Sequence, residues 1–131
     1  LRLIYASTNV KFIFEIHKPE KGDLIAKVHF HTRIWESQEL QNATATELTI
    51  YIQKKLLHAN FFDLANMFSD NSVKHIHKFT GGNYRDSNKL LYSLFEICNW
   101  YEQNDPSKIK HSTMPKKLIE MAAIHTGFVN A

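Results

Sequence analysis

The stretch VKHIHKF, residues 73–79, decides the fold. SDNS (residues 69–72) precedes it and reads as a turn, and TGGN (residues 80–83) breaks it. Between them, Val73, Ile76 or Phe79 faces inward in a short strand whose alternation is imperfect. A strand here adds to the sheet that the first third of the chain predicts.

In that first third, Val10, Phe12, Phe14 and Ile16 alternate with Lys11, Ile13, Glu15 and His17. Past the loop KPEKGD, Leu24, Ala26, Val28, Phe30, Thr32 and Ile34 alternate with Ile25, Lys27, His29, His31, Arg33 and Trp35. Two period-2 runs around a Pro- and Gly-bearing loop predict an antiparallel hairpin over residues 10–35. Aligning the apolar faces sets Glu15 opposite Lys27, a favourable cross-strand pair. Residues 1–6 read as a further strand. The expectation is one α+β domain over residues 1–131. It has an antiparallel sheet of about three or four strands, with three or four helices on one face.

The helices follow from caps and periodicity. Thr44-Ala45-Thr46-Glu47 has capping-box spacing, so a helix starts near Ala45 and runs to about His58, with Leu48, Ile52 and Leu56 on one face. NFFDLANMF either continues it or restarts at Asn60. Ser87 can cap a helix from about Asn88 to Gln103, with a stripe of Leu91, Leu94, Phe95, Cys98 and Tyr101. NDPSKIKHS is a loop. Ser112 or Thr113 then caps a last helix with Pro115 in its first turn and Gly127 just past its end.

Composition bounds the function. At 131 residues, 44% hydrophobic and 22% charged, the chain is an ordinary globular one. Its single cysteine, Cys98, forbids an internal disulfide. With no signal-peptide pattern, it points to an intracellular, cytoplasmic setting. No apolar run approaches the roughly 18 residues of a membrane span, so no membrane partner is expected. The chain opens at Leu1 inside an apolar run, which fits a domain excised from a larger protein. The net charge of +3 is mild, but eight histidines give the surface room to become more basic between about pH 7 and pH 5.

LRLIYAS (residues 1–7) is similar to the first strand of flavin-binding BLUF photoreceptor domains, in which a tyrosine like Tyr5 lies beside the flavin. The likeness covers seven residues. The segment that follows lacks that family's Gly-rich and glutamine-bearing strands, so no family is assigned and no cofactor is expected.

Two H-x-H pairs stand out, His29/His31 and His75/His77. On strands, each pair shares a side. His29 and His31 then line an outward face with Arg33 and Trp35. Four imidazoles could ligate zinc. Neighbouring Lys and Arg repel a cation, however, and no cysteine lies near, so no metal is expected. The loop KFTGGNYRDSNK (residues 78–89) is the second candidate. Gly81 and Gly82 permit close backbone approach, a helix follows, and Lys78, Arg85 and Lys89 supply positive charge. It matches neither the P-loop nor the dinucleotide-binding order of glycines. A further basic cluster comprises Lys108, Lys110, His111, Lys116 and Lys117. Trp35, Tyr84, Trp100 and Tyr101 could stack bases where exposed.

The leading expectation is a non-catalytic binding domain. Its partner-binding residues are His29, His31, Arg33, Trp35, His75, His77, Lys78, Gly81, Gly82, Arg85 and Lys89. They meet a nucleic acid, another phosphate-bearing partner, or a protein. The alternative is a metal-independent ribonuclease in which two histidines act as acid and base beside a cation.

Overall fold

Ser69 caps a helix. Its side chain accepts the Ser72 N–H, Asp70 occupies the first turn, and residues Asp70–Thr80 are helical. The fold is thereby corrected: the stretch read as a strand is helical, and the described residues contain helices and no strand or sheet. The reason is spacing. Ser72, Val73, Ile76 and Thr80 are the buried positions, with Val73, Ile76 and Thr80 three and four apart, which is a helical face and not an alternating one. A cap at Ser69 and a left-handed Gly81, whose N–H bonds the His77 carbonyl at 2.8 Å, bracket that face. The computed structural model describes Ile13 and residues 39–109 and 112–129. Apart from Ile13, the predicted hairpin 10–35, and with it His29, His31, Arg33 and Trp35, lies outside the described residues.

The chain divides into two compact units, Leu1–Glu39 and Leu40–Ala131. The described residues of the second form five α-helices: α1 (Ala45–His58), α2 (Phe62–Met67), α3 (Asp70–Thr80), α4 (Tyr84–Asn104) and α5 (Lys116–His125), with a 3-10 turn at Pro106–Lys108. None of the described helices is long and apolar enough to cross a membrane.

At α1 the predicted capping box is present. Thr44 Oγ1 accepts the Glu47 N–H at 3.3 Å, and Glu47 Oε2 accepts the Thr44 N–H at 2.8 Å. Leu48, Ile52 and Leu56 are buried on one face as their spacing requires. The helix ends at His58, Asn60 just beyond it takes a positive φ of 63°, and α2 starts at Phe62. The cap of α4 falls earlier than expected. Asn83, not Ser87, holds it, and Ser87 is buried inside the helix. The last helix begins after Pro115 without a side-chain cap.

α1 packs on α2 and α3, α4 on α3 and α5, and α3 on α5. The core gathers Leu48, Ile52, Phe68, Val73, Ile76, Leu90, Leu94 and Ile119, each almost wholly buried. The Phe95 ring meets Phe68 edge-on at 6.1 Å. The segment before α5 is tied down by Met114, whose N–H bonds the Met67 carbonyl at 2.8 Å and whose carbonyl accepts the Ser72 hydroxyl at 3.2 Å.

Candidate functional site

The corner between α3 and α4 carries most of the described candidates, and two glycines shape it. Gly81 (φ 59°) ends α3, and Gly82 (φ 76°) turns the chain into α4. Gly82 is the tighter position. A β-carbon there would collide with the Ala43 carbonyl, so the close approach is made by the chain's own backbone. The Ala43 N–H bonds the Gly82 carbonyl at 3.0 Å. On its other side Ala43 accepts from His77 Nε2 at 2.9 Å. A carbonyl only accepts, so Nε2 carries the proton in this bond.

Asn83 follows. Its Oδ1 accepts the N–H groups of Arg85 (2.9 Å) and Asp86 (3.2 Å). Two of the first-turn donors that could have met an anion directly, those of Arg85 and Asp86, are thus already engaged. What the corner offers outward is side-chain charge. Arg85 is exposed and has no ion-pair partner among the described residues. Lys89, also exposed, stands 3.9 Å from Asp86, a loose pair one turn along the helix. The Tyr51 and Tyr84 rings pack beside this turn with centroids 4.7 Å apart, and the Tyr51 hydroxyl exchanges hydrogen bonds with the Asn88 amide. Burial pushes the Tyr51 phenol up. Hydrogen bonding to Lys55 and Asn88 and the Lys55 charge outweigh that and hold it below its ordinary value.

From Arg85 an open groove of about 1130 Å³ runs along α4 and is closed on one side by the end of α5. Arg85 and Lys89 line one part of it, and Tyr92, Glu96, Trp100 and His125 line more. Tyr92 is 70% exposed and Trp100 57% exposed, so both rings stand available to a ligand. The Trp100 ring is propped edge-on by Tyr101 at 5.0 Å, and Tyr101 is half-buried. Ser93 Oγ and His125 Nδ1 are 2.9 Å apart on the groove wall.

Of the predicted partner-binding residues, Gly81, Gly82, Arg85 and Lys89 come together at this corner. His75 and His77 do not form a pair. At about 100° per residue, positions two apart on a helix point in nearly opposite directions, and His77 is engaged with Ala43. Lys78 is exposed on the last turn of α3. No described cluster of three or more His, Cys, Asp or Glu residues could hold a metal ion. The Ser93–His125 contact has a nucleophile and a base. Among the described residues, though, no carboxylate bonds the imidazole, and Ser93 is buried in mid-helix. In the second basic cluster, Lys116 pairs with Glu120 at 3.3 Å, which offsets the cation at a helix start. Lys110 and His111 lie outside the described residues. Sequence reasoning missed several groove residues, among them Glu96, His125 and Tyr92, whose ring is the most exposed. The signal for Tyr92 was its place on the helical face Arg85, Lys89, Tyr92, Glu96, Trp100.

No family model, curated protein or solved structure matches the chain.

Proposed function

We propose that the helical unit is a non-catalytic binding module for a phosphate-bearing partner, met by Arg85 and Lys89 and continued along the groove by Tyr92 and Trp100. One observation carries this reading. Arg85 presents a fork of donors to solvent with no described carboxylate to neutralise it, at the mouth of a groove lined by two exposed aromatic rings. Guanidinium geometry matches phosphate, and an exposed ring accepts any base by stacking.

The test is a titration of the full chain with single-stranded oligothymidylate and, separately, with pyrophosphate, followed by tryptophan fluorescence. Trp100→Phe separates the Trp100 signal from that of Trp35. Binding is expected to weaken as salt rises, by a log–log slope of about 0.7 per phosphate contact on a single strand. Arg85→Ala is expected to lower affinity by about tenfold, in line with about 1.5 kcal/mol for a charged hydrogen bond. Pyrophosphate binding without oligonucleotide binding marks a small phosphorylated ligand; the reverse marks a nucleic acid strand. No binding of either at 50 mM salt, or an unchanged affinity in Arg85→Ala, overturns the reading.

A further inference from the structure

We infer that His77 is a positioning residue for the Arg85 end of the groove, acting through Ala43. The conformation of the entry segment, residues 40–44, is thereby coupled to the first turn of α4. The inference rests on the binding reading for its consequence and on geometry for its mechanism.

The chain reaches α1 through Leu40, Gln41 and Asn42, all exposed, and Ala43 is the first buried residue on that path. Both polar groups of Ala43 are used, one by His77 and one by Gly82. The space a side chain at Gly82 would fill is occupied by the Ala43 carbonyl. The entry segment is therefore clamped at one residue, and the clamp closes on the two sides of the α3–α4 corner. His77 belongs to the last turn of α3, and its own carbonyl takes the Gly81 N–H. Gly82 immediately precedes Asn83, whose side chain holds the Arg85 and Asp86 N–H groups.

A shift of Ala43 thus moves Gly82 or breaks their hydrogen bond. A moved Gly82 carries the Asn83 cap with it, and Arg85 is two residues further on. The path is one backbone bond from Ala43 to Gly82, one peptide link to Asn83 and one side-chain cap to Arg85, short enough to transmit a displacement without a long chain of contacts. Coupling of this kind is reciprocal: what holds Arg85 in place also holds Ala43.

The experiment is amide hydrogen exchange on the full chain, comparing wild type with His77→Leu, His77→Gln and His77→Asn. His77→Leu removes the donor. It is expected to speed exchange of the Ala43, Arg85 and Asp86 N–H groups together, by at least about tenfold, while Leu94 and Ile119 in the core stay protected. His77→Gln keeps a donor that reaches the Ala43 carbonyl and restores slow exchange at all three. His77→Asn is one methylene shorter and does not. Acceleration at Ala43 with Arg85 and Asp86 unchanged overturns the coupling. No acceleration at Ala43 overturns the clamp itself. If His77→Leu also opens Leu94 and Ile119, the Gln–Asn comparison decides in its place. Added pyrophosphate is expected to slow exchange at Ala43 in wild type and to bind His77→Leu more weakly. If wild type binds neither pyrophosphate nor oligothymidylate, the binding reading fails, and the exchange of Arg85 and Asp86 alone judges the positioning.

Discussion

The Ser87 hydroxyl donates to the Thr80 hydroxyl at 3.0 Å, and Thr80 in turn donates to the Ile76 carbonyl at 3.0 Å. Both side chains are buried, in a place where α3 and α4 meet. The chain of bonds has a direction, so its two ends are not equivalent. Ser87→Ala leaves Thr80 still donating and removes only one bond, for a loss of about 1 kcal/mol. Thr80→Val strands the Ser87 O–H without its acceptor and is expected to cost more, about 2 kcal/mol. The double variant should then be less destabilised than the two losses added together. Urea unfolding of the four proteins measures this. Strict additivity would show that the two hydroxyls act independently.

The two glycines of the corner are expected to respond differently to alanine. At Gly81 a β-carbon meets nothing within 4 Å, so Gly81→Ala carries only the cost of a left-handed alanine, about 1–2 kcal/mol. At Gly82 the same conformational cost is joined by the collision with the Ala43 carbonyl, which is backbone and cannot swing aside. Gly82→Ala is therefore expected to lose more than Gly81→Ala, about 3 kcal/mol or above. It should also speed exchange of the Ala43 amide, whereas Gly81→Ala should not. Equal losses in thermal unfolding would refute the difference.

These positions also show what the sequence made legible. The capping box at Thr44 was readable because its signal is local: a hydroxyl and a carboxylate three residues apart with an apolar run behind them. Glycines 81 and 82 were readable as a break, since few other residues take positive φ. Helix α3 was misread. Val73, Ile76 and Phe79 are residues of high strand propensity in a run of seven, too short for periodicity to settle, and only the caps on either side distinguish it. That error also aligned His75 with His77. The partner of His77 is Ala43, thirty-four residues away, which no local pattern announces. Arg85, Lys89 and Trp100 were named as candidates from residue type and loop chemistry. The groove that joins them needed the packing of α4 on α5.

The α1 cap gives stability a pH dependence at the acid end. Hydrogen bonds from the Thr44 backbone and side chain hold the Glu47 carboxylate below its ordinary value of 4.5. A carboxylate with a lowered folded value adds stability that is fully present above its unfolded value. That stability disappears as pH falls through the folded one. Wild type is therefore expected to exceed Glu47→Gln in stability at pH 7, with the gap closing as pH falls below the ordinary carboxylate value of 4.5. Thr44→Ala removes the cap outright and should cost about 1 kcal/mol at pH 7. Urea midpoints at pH 7 and in acid check both. A gap that persists unchanged in acid would mean the carboxylate charge is not what the cap uses.

Cys98 carries the opposite sign at the alkaline end. Burial, with the charge of Glu102 one turn away, pushes its thiol from 9.0 up to about 11. Only thiolate reacts with an alkylating reagent. At pH 8 the thiolate is about one part in a thousand of the folded protein and about one part in ten of the unfolded chain, a reactivity ratio of about a hundredfold before any steric shielding. Iodoacetamide labelling followed by mass should therefore be slow in buffer and fast in urea. For a thiol raised on folding, stability is present below the unfolded value and falls as pH rises towards the folded one. The stability of wild type relative to Cys98→Ala should accordingly decline between pH 9 and pH 11. Rapid labelling of the folded protein at pH 8, or a difference that stays flat over that range, would place Cys98 in solvent and not on the buried stripe of α4.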